Sequence, residues 1–372
     1  MPRSLIRKNP NDFKTLSLFV EATPEGLSYQ SIGMPLNFAQ TLHKRRQVNV
    51  ADTSRFGVEL ANLGVSVRLT LNWQGRDYWV LVRQRRQDRG DVVLKLISGY
   101  VPAHEINLPL HTAIQEVAEE CLLETPEGWL SGRFKETWLP APYTSALHYR
   151  EALPFLLTPL SGAALAVRCG SQTLLERPRA YVHLPTASLQ LIYDLRLEVP
   201  KEAKSLSLMH VDERLEGDQL VARLDRKRPD LYLMPLTDGQ PCAELYTLHK
   251  DRLHPVNTRG IHLAESFAPQ EGWVVSDERI RWKDWLNQQG LSAPDKESRL
   301  KRLTGKARQI FSKVVKHKAP HPSPLPEGEG TDRVDAGFNS ALSDCHNLEI
   351  SLDQAPSPFG RGLGYSSRLL VS

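Results

Sequence analysis

Residues 99–120 read GYVPAHEINLPLHTAIQEVAEE, and the fold prediction starts from this stretch. On a helix the spacing of Glu116, Glu119 and Glu120 brings the three to one face, where their carboxylates can converge on a cation. Pro109 suits the first turn of that helix, and the apolar residues between the acids form a stripe that can pack on a core. Like charges this close indicate either a solvated acidic face or a metal site.

The chain reaches this stretch through a predicted meander of strands. Apolar residues alternate with polar or small ones over 65–73, a turn follows, and 78–82 runs back as the second strand of a hairpin. Residues 92–97 are a further short apolar run. The predicted order is therefore strand, glycine-containing loop, acid, and a helix that carries the three glutamates.

This segment resembles the signature of the Nudix hydrolase superfamily. In that signature a glycine and, after five residues, a glutamate precede a helix that carries an arginine and several glutamates. Gly99 and Glu105 match the first half at the right separation, and Glu116, Glu119 and Glu120 match the helical half.

Three departures from the signature are visible. The spacer between the halves is two residues longer, Gln115 stands at the arginine position, and Leu122 stands at a glycine position. An amide offers Glu105 only a neutral hydrogen bond in place of the ion pair with arginine. Without the glycine that usually ends it, the helix is expected to continue further, over residues 110–123.

The resemblance implies an α+β fold, a Nudix-like α/β/α sandwich with a mixed sheet. It implies metal-dependent hydrolysis of a small nucleoside diphosphate derivative, with Mg²⁺ or Mn²⁺ held by Glu116, Glu119, Glu120 and the backbone carbonyl of Gly99. Glu119, as ligand or general base, and Glu105, as supporting acid, are the candidate catalytic residues.

Five regions follow from composition and periodicity. They are an N-terminal extension at 1–58, a core at 59–160 that the resemblance implies is Nudix-like, a β-rich insertion or second subdomain at 161–290, a basic amphipathic helix at 291–318, and a disordered tail at 319–372.

Three shorter segments carry predictions of their own. Residues 37–44 are predicted as a short helix, and 129–149, rich in aromatics and prolines, as a loop. Residues 273–285 are predicted as a closing helix that packs its tryptophans on the body.

Composition predicts a cytoplasmic protein with a substantial core. The chain has 372 residues, 40% of them apolar, and no apolar run approaches the roughly 18 residues of a membrane span. The N-terminus lacks the apolar region of a secretory signal, and the four cysteines are scattered without zinc-site spacing. Much of the net charge of +4 comes from residues 296–318.

Two other function classes stay open beside the hydrolase. A Nudix-like module without catalysis would bind a nucleotide or a partner as a sensor, which the missing arginine and glycine favour. A nucleic-acid-binding protein would use the basic helix at 296–318. A phosphate-binding loop ending in Gly-Lys-Ser/Thr is absent from the sequence, which argues against an ATPase.

Overall fold

The structure is a computed structural model that describes the chain in segments up to residue 281. The described ranges are 3–23, 26–45, 56–85, 92–160, 166–183, 186–259, 261–263, 273–276 and 280–281. The predicted basic helix at 291–318 and the predicted tail at 319–372 lie outside these ranges and stay predictions.

Strands dominate the described residues, which contain two α-helices, α1 (Phe38–Lys44) and α2 (Pro109–Glu120). The strands, in chain order, are β1 (Arg3–Lys8), β2 (Lys14–Thr23), β3 (Gly26–Asn37), β4 (Phe56–Leu60), β5 (Asn62–Trp73), β6 (Arg76–Arg85), β7 (Val92–Lys95), β8 (Ile97–Tyr100), β9 (Cys121–Thr125), β10 (Gly128–Phe134), β11 (Thr137–Trp138), β12 (Tyr149–Pro159), β13 (Ala166–Cys169), β14 (Gln172–Thr173), β15 (Arg179–His183), β16 (Ser188–Glu198), β17 (Ser207–Glu216), β18 (Gln219–Leu224), β19 (Leu231–Thr237), β20 (Gln240–Pro241), β21 (Tyr246–His249), β22 (Arg252–Pro255), β23 (His262–Leu263), β24 (Trp273–Ser276) and β25 (Ile280–Arg281).

The predicted α+β class with its Nudix-like α/β/α sandwich is wrong, because strands far outnumber helices in the described residues. The strands form one connected sheet of twenty and a second sheet of five, in the order β14-β13-β3-β2-β4. An α/β/α sandwich covers both faces of one sheet with helices, whereas here a second sheet provides much of the cover. Leu18 and Tyr29 of the small sheet share one buried core cluster with Val65 of the large sheet and Val117 of α2.

β5 pairs with three other strands of the large sheet. β16 runs parallel to it from the pair Asn62–Ser188 to the pair Leu71–Leu197, and β8 and β6 pair antiparallel with successive parts of it. Its alternate apolar side chains are fully buried, as expected of a strand covered on that face: Leu63, Val65, Val67, Leu69 and Leu71. The predicted hairpin of 65–73 and 78–82 is confirmed as β5 and β6.

The end of α2 differs from its prediction. The helix begins at Pro109, as expected, but it ends at Glu120 and does not continue to residue 123. Cys121 already has an extended backbone and opens β9, which pairs with β17. Leu122 and Leu123 are therefore strand residues, both buried.

The three shorter segment predictions have different outcomes. The helix predicted at 37–44 is confirmed as α1, which a capping box at Asn37 begins. The loop predicted at 129–149 is wrong over its first part, because β10 and β11 occupy much of 128–138. The predicted closing helix begins instead with β24, and most of its remaining residues lie outside the described ranges.

Neither helix of the described residues is long and apolar enough to cross a membrane.

Candidate functional site

Gly99 and Glu116 are in direct contact where α2 crosses β8. Gly99 of β8 pairs with Val65 of β5, and the Glu116 side chain, 1% exposed, lies over the α-carbon of Gly99. A Cβ atom built on Gly99 would lie 1.9 Å from Glu116 Oε1 and 2.2 Å from its Cδ. Any side chain at position 99 would therefore require the Glu116 carboxylate to move. The structure thus brings together two residues that the sequence analysis assigned to one site.

Glu105 lies at the first turn of α2, whereas Glu119 and Glu120 lie in its last turn. Thr112 Oγ1 donates a hydrogen bond to Glu105 Oε2 (2.6 Å), and His111 Nδ1 lies 3.0 Å from Oε1. The seven residues from Thr112 to Glu119 span about 10 Å of helix axis. Glu105 therefore holds the first turn of α2, and its position fits a supporting acid better than a group that touches the reacting atoms.

The last turn of α2 presents Glu119 and Glu120 to two lysines. Lys8 Nζ of β1 lies 3.6 Å from Glu119 Oε2, and Lys95 Nζ of β7 lies 3.5 Å from Glu120 Oε1. Lys8 also lies 3.3 Å from Oε1 of Glu213, a β17 residue. Three glutamates from α2 and β17, with two lysines from β1 and β7, thus form what we name the acid–lysine cluster: Glu119, Glu120, Glu213, Lys8 and Lys95.

The side chains of the acid–lysine cluster are largely buried. The side chains of Lys8 and Glu213 are 13% and 11% exposed. Burial raises the pKa of Glu213 to about 8, Lys8 opposes that rise, and the charges of Glu119 and Glu120 add to it. With every group ionised the cluster has three carboxylates and two ammonium groups, an excess of one negative charge. Buried charge without compensation is costly, so the cluster favours either a retained proton or a further cation.

Two side chains from other parts of the chain also contact the backbone carbonyl groups at the end of α2. Tyr143 donates from its hydroxyl to the carbonyl oxygen of Glu119 (3.3 Å), and His210 Nδ1 lies 3.2 Å from that of Glu120. Helix ends leave carbonyl groups without intrahelical partners, and these two side chains satisfy two of them. The last turn, and with it the direction of both glutamates, is held from β17 and from the segment before β12.

The carboxylates of the acid–lysine cluster are chemically suited to bind a divalent cation. Within the described ranges, no three His, Cys, Asp or Glu side chains are arranged closely enough to hold a metal ion as they stand. The cluster nevertheless supplies carboxylate oxygens, the ligands that Mg²⁺ and Mn²⁺ prefer. Oε2 of Glu120 and Oε2 of Glu213 are buried and have no hydrogen-bond partner in the described part of the chain. The ammonium groups of Lys8 and Lys95 are the cations that contact these carboxylates in the structure.

Sequence reasoning missed three members of the cluster. Lys95 carried a signal, because it interrupts an apolar run that was itself predicted as a strand. Lys8 and Glu213 carried none, since they lie over 80 residues from α2 in opposite directions along the chain. Lys8 and Glu213 reach α2 because β1 pairs with β18, β18 pairs with β17, and β17 pairs with β9.

Comparison with models of known protein families gave no match to this sequence, and comparison with curated proteins gave none either.

Proposed function

We propose that this chain is a divalent-metal-dependent hydrolase of a nucleoside diphosphate derivative, related to the Nudix superfamily through residues 99–123. The observation that supports the proposal is the contact between Glu116 and Gly99. It joins the two halves of the signature-like segment and sets Glu119 and Glu120 one turn further along the same helix face. The proposal concerns the chemistry of this segment and does not include a three-layer sandwich.

Each acid has a distinct part in this proposal. Glu116, Glu119, Glu120 and the backbone carbonyl of Gly99 would hold Mg²⁺ or Mn²⁺, which when bound screens the charge of the diphosphate and lowers the pKa of a coordinated water. Glu119 would accept the proton of the attacking water on a carboxylate oxygen. Glu105 would keep the first turn of α2 in place through Thr112 and His111.

A substrate panel tests the proposal. The full chain is incubated with dinucleotides and nucleotide sugars, with and without Mg²⁺, and nucleoside monophosphate release is measured. We expect release only with Mg²⁺, and its loss in Glu119→Gln and Glu120→Gln. Glu136→Gln is the matched control, because its side chain is 96% exposed on β10–β11 and should leave turnover unchanged. Release that persists in Glu120→Gln, or that needs no metal, would contradict the proposal.

A second candidate function is nucleotide binding without turnover. The observation that favours it is that Lys8 and Lys95 already neutralise part of the acid–lysine cluster, so the fold can hold these carboxylates without a metal. A sensor of this kind would show a ligand-dependent rise in Tm with no product, and a chelator would leave that rise unchanged.

We also propose that the protein resides in the cytoplasm. The cysteines of the described ranges, Cys121, Cys169 and Cys242, are free thiols, which is typical of proteins from a reducing compartment.

A further inference from the structure

The two lysines of the acid–lysine cluster are held in different ways. Lys95 Nζ lies 3.1 Å from Ser98 Oγ and 3.4 Å from the Ser98 carbonyl oxygen, besides its contact with Glu120. Lys8 Nζ contacts two carboxylates, those of Glu119 and Glu213, as its polar partners in the described part of the chain. Lys95 is thus also held by Ser98 of β8, whereas the polar contacts of Lys8 within the described residues are with the two carboxylates.

The strand that carries Lys8 can release this side chain without unfolding. Within the described ranges β1 pairs with β18 alone, and Lys8 is its last residue before a turn at Pro10–Asp12. Leu5 anchors the strand in a separate small core with Tyr143. The four-carbon stem of a lysine is flexible, so its ammonium group can leave the carboxylates while Leu5 stays buried.

Building on the proposed function, we propose that Lys8 is an internal competitor of the divalent metal. Its ammonium group neutralises Glu119 and Glu213 in the metal-free protein and moves out when a metal binds. A metal ion within ligand distance of Glu119 would stand close to the ammonium, and two positive charges repel strongly where little water screens them. Metal affinity is then reduced by the cost of moving Lys8, and Lys8 is released in proportion to metal binding.

Mn²⁺ binding by the full chain tests this competition. Free Mn²⁺ is measured by electron paramagnetic resonance during titration of the wild type and of Lys8→Gln. We expect the variant to bind Mn²⁺ about tenfold more tightly, within the range of ordinary coupling between sites. Lys14→Gln is the matched control, because Lys14 is exposed on β2 and should leave the affinity unchanged.

A second measurement uses the wild type, so it does not depend on how the variant folds. Lysine acetylation by acetic anhydride, which transfers one acetyl group to the amine and releases acetate, is followed by mass spectrometry with and without Mg²⁺. Mg²⁺ should increase labelling of Lys8, whose side chain is largely buried, and leave labelling of Lys14 unchanged.

The outcomes separate this inference from the proposed function. Unchanged or weaker Mn²⁺ binding by Lys8→Gln, or Lys8 labelling that does not respond to Mg²⁺, overturns the competition and leaves the metal site in place. Absence of Mn²⁺ binding by wild type, Lys8→Gln and Lys14→Gln alike overturns the proposed function, and the inference falls with it.

Discussion

A methyl group at position 99 would collide with a carboxylate. The Cβ of Gly99→Ala would lie within 2.6 Å of three atoms of Glu116, inside a closed contact between β8 and α2. Overpacking of this kind costs about 1–3 kcal/mol, so we expect the free energy of unfolding, measured by urea denaturation, to fall by that amount. The same change in a Glu116→Ala background should cost much less. Equal costs in both backgrounds would show that the clash is not the cause.

Glu213 is expected to make the stability of the folded protein depend on pH. Its pKa is raised from 4.5 to about 8, so the folded state holds a proton that the unfolded state has lost over this interval. Stability contributed by that proton is therefore lost as pH rises from about 4.5 to about 8 and is level above it. In Glu213→Gln this decline should be absent from urea denaturation profiles recorded with chelator. The exposed Glu136→Gln should follow the wild type; a Glu213→Gln profile parallel to wild type would refute the assignment.

At the scale of elements, α2 depends on a carboxylate that lies outside it. Glu105 accepts a hydrogen bond from Thr112 in the first turn, and no side chain at Leu108 caps the helix. Thr112→Val keeps the shape but leaves a buried carboxylate oxygen without this donor, which costs about 1.5–3 kcal/mol. Chemical denaturation should show this loss, and Thr137→Val on the exposed β11 should show little. Similar small effects for both would mean that Glu105 does not support the helix.

The junction of α2 with β9 shows how an element end depends on its neighbours. Leu122 and Leu123 have good helix propensity, so the local sequence favours continuation. They pair instead with Met209 and Leu208 of β17, where both are buried in a sheet. Burial in tertiary contacts outweighs propensity differences of less than about 1 kcal/mol per residue.

At the scale of the whole molecule, Tyr29 connects the small sheet to the loop before α2. Its hydroxyl, buried in β3, donates to the carbonyl oxygen of Ile106 (2.9 Å), the residue after Glu105. Tyr29→Phe should lower the free energy of unfolding by about 1 kcal/mol or more, since a buried acceptor loses its donor. It should also speed amide exchange near α2. Tyr246→Phe is the control, because its phenol bonds to Glu244 at an exposed site. Equal effects of the two changes would argue against this connection.

The order of strand, loop, acid and helix could be predicted from the sequence because each of these parts depends on residues that are close together along the chain. Alternation over 65–73 marks a strand with one buried face, Pro109 marks a helix start, and Asn37 marks another. Local rules failed where partners are distant. Prolines and aromatics in 129–149 indicated a loop, yet β10 pairs there with β9 and β12. The number of strands that cover the core, and hence the fold class, depends on such pairings.

By itself the sequence determined which acids share a helix face and that a glycine lies upstream of them, because both follow from spacing along the chain. Only the tertiary structure decided that Glu116 contacts Gly99, that Lys8 and Lys95 neutralise the last turn, and that Glu213 joins from β17. The physical reason is that charge compensation in a buried site depends on which groups are close together in the fold, whatever their separation along the chain. Residues distant in the chain provide it, and only the pairing of their strands brings them to the helix.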